Sequence, residues 1–453
     1  MLFNPYPYQA KAIDHEIRLA RCALFLDMGL GKSVITLTAI RRLIDYCEVE
    51  RVLVVAPKKV AETTWTTEAA KWDHLRSLRV VKVMGTAKQR RRALDTAADV
   101  YVTGRDSFVW LFEECKGRLP FDMIVIDELT SFKTPSAARF KAMRKASSMA
   151  ARVVGLTGTP APNGLIDLWA QMYCIDLGER LGKSVTRYRS DYFDTYMHNG
   201  IPVRCTLKKG AESTIRNKIA DICLSMQAKD YLTLQPLIVH DIVVPLSPKV
   251  LKGYNDFERE QVMVVEESTV TAASAAALMN KLSQYASGAV YDENHGVVEI
   301  HSEKLDCLEE LIASAGESVL VFYQYRHEAA RIAARLKGKR VRTYEGEADL
   351  RAWNAGEIDV LLAHPASTAY GLNMQQGGRY IVWYGTGWNL EYYQQANARL
   401  HRQGQERPVI VYRLLAESTV DMLAVAALDS KQNVQQSLLS MLAKLTAKHD
   451  ANA

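Results

Sequence analysis

The stretch Asp27-Met28-Gly29-Leu30-Gly31-Lys32-Ser33 places two glycines, a lysine and a hydroxyl between an apolar run at 22–26 and an apolar-periodic run at 34–40. A buried strand, a tight loop and a helix start, in that order, make a cradle for phosphate. Glycine lets backbone N–H groups face phosphate oxygens, and the helix N-terminus adds partial positive charge. Lys32 can then reach the β- and γ-phosphates, and the Ser33 hydroxyl can sit on Mg²⁺. The strict pattern G-x-x-x-x-G-K-[ST] asks for glycine at 26, where this chain has Leu26. Asp127 and Glu128 follow another apolar run, 123–126. Ligands of open α/β sheets bind beyond the carboxyl ends of the strands, so an Asp there can hold Mg²⁺ and a Glu can polarise the attacking water. Two solvated acids at a strand end would explain the same pair.

Three later stretches carry chemistry of the same kind. Thr157-Gly158-Thr159-Pro160 follows a strand-like run, and its small hydroxyl residues suit a loop that senses the γ-phosphate. By itself it also reads as a plain Gly/Pro turn. Ser367, Thr368, Gly371, Leu372 and Asn373 form a polar loop after the run 360–363. Arg399 and Arg402 are three apart, a spacing that shares one face of a helix, and guanidinium groups stabilise the charge that develops in phosphoryl transfer. A solvated basic helix is the plainer reading of two arginines.

The elements that must position these residues alternate strand and helix. Strand-like runs at 22–26, 52–56, 78–83, 99–102, 123–126 and 152–156 are continuously rich in Val, Ile and Leu, as expected of parallel strands buried on both faces. A second series follows at 319–322, 341–344, 360–363, 380–383 and 409–412. The expectation is an α/β fold with lobe one at 1–165, a mostly helical insertion at 166–245, lobe two at 246–430 and a helical tail at 431–453. The chain has 453 residues, 48% hydrophobic and 24% charged, a balance that fits a soluble protein of more than one domain. A cytoplasmic location, in a bacterium or a bacterial host, is expected, with no membrane span. Seven cysteines without a C-x-x-C pair argue against structural zinc and against a disulfide framework. A net charge of +6 admits a polyanionic partner without requiring one. Basic clusters at 88–92, 208–209 and 337–340 could track phosphates, although each also suits a solvated face.

Taken in order, Tyr8-Gln9, the loop 27–33, Asp127-Glu128-Leu129-Thr130, the stretch 156–163, Gly371-Leu372-Asn373 and the segment 395–405 resemble the motifs of superfamily 2 helicase-like ATPases, specifically the Swi/Snf-related DNA translocases. That family's phosphate loop also lacks the first glycine. The resemblance runs from about residue 6 to 425 and is similar in compactness to phage and bacterial members. It implies two tandem RecA-like lobes holding ATP and Mg²⁺ in a cleft. Gln9 would read adenine, while Met28, Gly29, Leu30, Gly31, Lys32 and Ser33 would bind the nucleotide. Ser33 and Asp127 would hold the metal, Glu128 would orient water, and Arg399 and Arg402 would act as arginine fingers. Thr157, Gly158, Thr159, Gly371 and Gln395 would couple hydrolysis to lobe movement. Pro57, Lys58, Thr103, Tyr323, Ser367 and Thr368 would face DNA. Thr130 stands where the family commonly has His.

The function implied is an ATP-dependent motor on double-stranded DNA, with protein partners drawn from replication, recombination or repair. A strand-separating helicase on forks or single strands is the near alternative, although no wedge or pin is legible. An ATP-gated recruitment clamp is the alternative from outside the motors; it has no need for the full set Lys32, Asp127, Glu128, Arg399 and Arg402.

Overall fold

The computed structural model describes residues 1–429 apart from 159, 162–163, 199–200, 232–233, 267–271 and 369–371; the side chains of 195–204, 228–229 and 264–273 are also outside the description. The tail expected at 431–453 therefore lies outside the described residues. The chain divides into two compact units, Met1–Leu232 and Thr233–Ala453.

In the first unit the strands are β1 (Arg21–Leu26), β2 (Val52–Ala56), β3 (Val80–Val83), β4 (Val100–Gly104), β5 (Met123–Asp127), β6 (Arg152–Thr157), the hairpin β7 (Phe193–His198) and β8 (Ile201–Leu207), and β9 (Cys223–Met226). Seven of them form one sheet in the order β3-β4-β2-β5-β6-β1-β9. Every neighbouring pair in it is parallel. The inner strands β2, β4 and β6 are buried along their whole length, and β1 is buried from Cys22 on, which explains their unbroken apolar sequences. Because the strands are parallel, Leu26, Ala56, Gly104, Asp127 and Thr157 all end at one edge of the sheet. That edge receives the loop 27–33 and the acidic pair.

Part of the expected insertion belongs to this sheet. Its helices Leu168–Asp176, Val185–Tyr192 and Ala211–Ile219 precede β9, which pairs with β1 through Ala23↔Cys223 to Leu26↔Met226. The Cys-Leu-Ser-Met sequence of β9 has no β-branched residue and shows no strand pattern. Two arginines tie down the opposite edge. Arg21 donates to the carbonyls of Ile175, Ser147 and Ala150 at 2.7, 2.8 and 3.0 Å, and Arg152 donates to those of Glu16 and Leu19 at 2.9 and 3.2 Å. Guanidinium groups thus satisfy the last carbonyls of three helices, which have no partner within the helix.

The second unit contains β10 (Leu237–Val244), the hairpin β11 (Ala289–Tyr291) and β12 (Val297–Glu299), β13 (Val319–Phe322), β14 (Val341–Thr343), β15 (Val360–Ala363), β16 (Tyr380–Trp383) and β17 (Val409–Ala416). Its sheet runs β10-β17-β16-β13-β15-β14, again all parallel. Strand β10 falls before the second lobe's expected start, and β17 extends four residues past the expected strand to pair with it. Trp353 and Trp383 are fully buried in the core, their indole N–H groups donating to the Met374 carbonyl and to Asn397 Oδ1 at 2.8 and 2.9 Å. The expected pair of parallel α/β lobes is present.

Gly155, in the middle of β6, has no room for a side chain: a Cβ there would lie 2.7 Å from Ile175 Cδ1 and 2.9 Å from Leu129 Cδ2. Leu129 directly follows the acidic pair, so the packing at Gly155 bears on the site. Gly155→Ala is expected to destabilise the protein by about 1–3 kcal/mol, the usual cost of overpacking a core, read as a lower urea midpoint.

Candidate nucleotide site

The loop between β1 and helix α2 (Lys32–Asp45) turns through Gly29 and Gly31, at φ 89° and 83°. Side chains of L-residues are disfavoured there by about 1–2 kcal/mol. At Gly31 a Cβ would also fall 2.8 Å from Gln9 Nε2. The Lys32 ammonium is held under the loop, donating to the carbonyls of Leu26 and Asp27 at 2.7 and 3.4 Å. Leu30 is buried, whereas Met28 and Ser33 are half-buried at the mouth. Gln9 comes from helix α1 (Pro7–Arg18), where its Oε1 accepts from the Tyr6 backbone N–H at 3.0 Å and its Nε2 donates to the Leu30 carbonyl at 3.4 Å. Two stretches separated in sequence, Gln9 and the glycine loop, are therefore in contact.

Asp127 ends β5, and its Oδ2 accepts from the indole N–H of Trp65 at 2.9 Å. Burial of the carboxyl, and next the neighbouring Glu128 charge, push its pKa up to about 6; the Trp65 hydrogen bond and the Lys32 charge oppose that shift. Glu128 turns the chain with φ 62°. Its Oε1 accepts hydroxyl hydrogen bonds from Thr130 and Thr157, both at 2.8 Å. Next to Thr157, the α-carbon of Gly158 faces the phosphate loop: a Cβ there would lie 3.5 Å from the Leu26 carbonyl oxygen and 3.6 Å from Lys32 Nζ. Gln171 anchors the following turn by donating to the Pro160 carbonyl at 2.6 Å. Thr159 is outside the described residues. Sequence reasoning missed Trp65, because a lone Trp after Thr63 and Thr64 carries no pattern; Thr130 stood out only as a departure from His.

In the second unit Arg399 and Arg402 converge on one atom. Arg399 Nη1 and Arg402 Nη1 donate to the Leu372 carbonyl at 3.3 and 3.0 Å. They do not share a helix as the spacing suggested, since that helix, Leu390–Asn397, ends before them. The cause is local: Arg399 Nε takes the Gln395 carbonyl at 2.8 Å, and the Arg399 backbone N–H bonds Ala396 instead, closing a tighter turn. Gln395 is buried, with Nε2 on Glu391 at 3.2 Å. Gly371 is outside the described residues.

The residues expected to face DNA divide. Lys58 is exposed beyond β2, while Pro57 is buried. Thr103 and Thr368 are fully buried, their hydroxyls on the Val83 and Pro365 carbonyls at 3.2 Å each, so neither has a surface to offer. Ser367 donates to the His364 carbonyl at 2.7 Å, and Tyr323 meets the His364 ring edge-on at 5.9 Å. Of the basic clusters, Arg91 and Arg340 are already paired with Glu114 and Asp359, whereas Lys88 and Arg92 are exposed.

Comparison with known proteins gives two family matches, the SNF2-related domain over residues 13–287 and the helicase conserved C-terminal domain over 303–404. Protein p41 of Acyrthosiphon pisum secondary endosymbiont phage 1 is 37% identical over 456 residues, covering 97% of this chain and 99% of that protein. An uncharacterized ATP-dependent helicase of Mycoplasma genitalium is 24% identical over 91% of this chain, which spans only 40% of that relative's length. The Sulfolobus solfataricus SWI2/SNF2 ATPase core in complex with dsDNA aligns over 97% of this chain and 95% of its own, with 20% identity and a TM-score of 0.45. Among the described residues no helix is long and apolar enough to cross a membrane.

Helix α1, which carries Gln9, is fastened to α2 by Glu16, whose fully buried carboxyl accepts from Thr36 Oγ1 at 2.8 Å. Burial raises the Glu16 pKa to about 8. The folded protein then holds a proton that the unfolded chain releases near pH 4.5, so this contribution is complete below pH 4.5 and is lost as pH rises through about 8. Glu16→Gln is accordingly expected to gain stability relative to the wild type between pH 5 and pH 9, measured by urea unfolding at both.

Proposed function

The chain belongs to the SNF2-related family of helicase-like ATPases, and we propose that it hydrolyses ATP at the loop 27–33 to drive movement along double-stranded DNA. One observation carries the reading: Glu128 Oε1 is gripped by Thr130 and Thr157, while Gly158, next in the chain, lies against Lys32. A residue that orients water is thereby joined to a loop that touches the phosphate-binding lysine. Loss of the γ-phosphate would be felt by Lys32, passed to Gly158 and Thr157, and read by Glu128.

In this reading Gln9 recognises the adenine edge, the backbone of 28–31 surrounds the phosphates, and Lys32 leaves the Leu26 carbonyl for the β/γ oxygens. Asp127 fits a magnesium ion: its Oδ2 is occupied by Trp65, its raised pKa marks a desolvated carboxylate lacking a cation, and Mg²⁺ characteristically takes one or two carboxylates plus substrate phosphates. Asp127 and Ser33 would hold the ion, which when bound neutralises charge on the β- and γ-phosphate oxygens. Glu128 orients the attacking water. Arg399 and Arg402 supply guanidinium charge to the transferred phosphoryl group, and Thr157, Gly158, Thr159, Gly371 and Gln395 couple turnover to movement. Duplex DNA is supported by family membership and by exposed Lys58 at the same sheet edge as the phosphate loop.

Steady-state ATP hydrolysis is expected to rise strongly with plain duplex DNA. Stimulation by single strands or forks alone would instead favour strand separation, and no turnover with any nucleic acid would favour a clamp. Lys32→Ala should abolish hydrolysis. Glu128→Gln should bind ATP and not turn it over. Arg399→Ala or Arg402→Ala should each lower kcat by roughly a thousandfold or more with little change in ADP affinity, the pattern of a group that acts in the transition state.

A further inference from the structure

An edge contact from Gln9 leaves both faces of a purine in water. Three tyrosines lie around that residue. Tyr8 is buried at 4% exposure, its ring parallel to Tyr6 at 5.8 Å between centroids and tilted by 42° to Tyr231 at 5.1 Å. Tyr6 and Tyr231 themselves keep 49% and 45% of their surface exposed. Large half-exposed aromatics beside a nucleotide loop need a reason, because burial of their rings is what folding rewards.

Tyr231 arrives by a route fixed by the sheet. Strand β9 runs beside β1 to its last residue, the Asp27 N–H donates to the Met226 carbonyl at 3.2 Å, and the short helix Ala228–Tyr231 then brings the ring onto Tyr8. The strand that flanks the start of the phosphate loop therefore carries an aromatic ring to the neighbour of Gln9, from more than two hundred residues away in sequence.

The polar groups there are incompletely used. The Tyr8 hydroxyl is buried without a hydrogen-bond partner. Gln9 Oε1 spends one lone pair on the Tyr6 N–H and retains the other, while Gln9 Nε2 has only its 3.4 Å contact with the Leu30 carbonyl. A donor beside an acceptor satisfies such an amide, and the N6/N7 edge of adenine has that pattern.

We infer that Tyr231 is the ring on which the adenine of ATP stacks, completing with Gln9 a base subsite built within the first unit. The inference rests on the reading of 27–33 as the phosphate loop. Tyr6 is the lesser candidate, since its ring already lies flat on Tyr8 and its backbone is committed to Gln9. Stacking accepts any base, so Tyr231 supplies affinity and Gln9 supplies the choice of adenine.

The test is equilibrium binding of ADP and of inorganic tripolyphosphate, which has no base, to full-length protein by calorimetry. Tyr231→Ala should weaken ADP about tenfold, within the range for base–aromatic stacking, and leave tripolyphosphate unchanged; Tyr231→Phe should bind ADP like the wild type. Unaltered ADP affinity in Tyr231→Ala overturns the inference. So does an equal loss of ADP and tripolyphosphate, which would mean that the substitution disturbs the loop. Lys32→Ala should weaken both ligands; if it weakens neither, the phosphate-loop reading fails, and with it the inference.

Discussion

A single carboxylate oxygen, Glu128 Oε1, accepts hydroxyls from Thr130 and Thr157, and this arrangement depends on the register of two parallel strands. Strands β5 and β6 pair Asp127 with Leu156, which sets Thr157 beside Glu128 one residue beyond the last pair. Slipping the register by one would send the Thr157 side chain to the other face of the sheet. Gly155 sits in the same pairing, opposite Ile126, and its missing Cβ lets Leu129 and Ile175 close over the strand. The packing that fixes the register and the hydrogen bonds that prepare the water-orienting residue are therefore parts of one constraint.

The phosphate loop is held from both sides of β1 by the same logic. On one side β6 delivers Gly158 to Lys32; on the other β9 ends level with Leu26 and hydrogen-bonds Asp27. Arg21 and Arg152 pin the far edge by filling helix carbonyls, so displacement of β1 along its axis would uncover buried acceptors. The loop's own flexibility is confined to residues around Gly29 and Gly31. A change at the nucleotide must then be expressed along the carboxyl edge of the sheet rather than absorbed by its interior.

Much of this was legible because buried parallel strands write themselves as continuous Val/Ile/Leu runs, and because glycine, lysine and paired acids at strand ends have few other uses. What escaped was specified by tertiary contact. Strand β9 has Cys, Leu, Ser and Met and becomes a strand because β1 offers it an unpaired edge. The bond from Trp65 to Asp127 joins residues 62 apart that no pattern connects. Thr103 and Thr368 looked like hydroxyls free to meet a phosphate, yet each is consumed by a carbonyl in its own neighbourhood, a competition that sequence cannot rank.

The arginines show how a correct grouping can arise from an incorrect local model. Spacing of three suggested one helix face, but the helix stops at Asn397 because the Arg399 guanidinium captures the Gln395 carbonyl that the next helical N–H would have used. The tighter turn nevertheless brings both side chains to the Leu372 carbonyl. That carbonyl belongs to the Gly-Leu-Asn element after β15, so two segments expected to act together are joined by charge-assisted hydrogen bonds. A guanidinium held by a neutral carbonyl keeps its full charge, and the exchange of that carbonyl for a phosphate oxygen replaces a dipole by an anion. The bond energies therefore favour the transfer, and the Leu372 carbonyl serves as a resting place from which the arginines can be drawn.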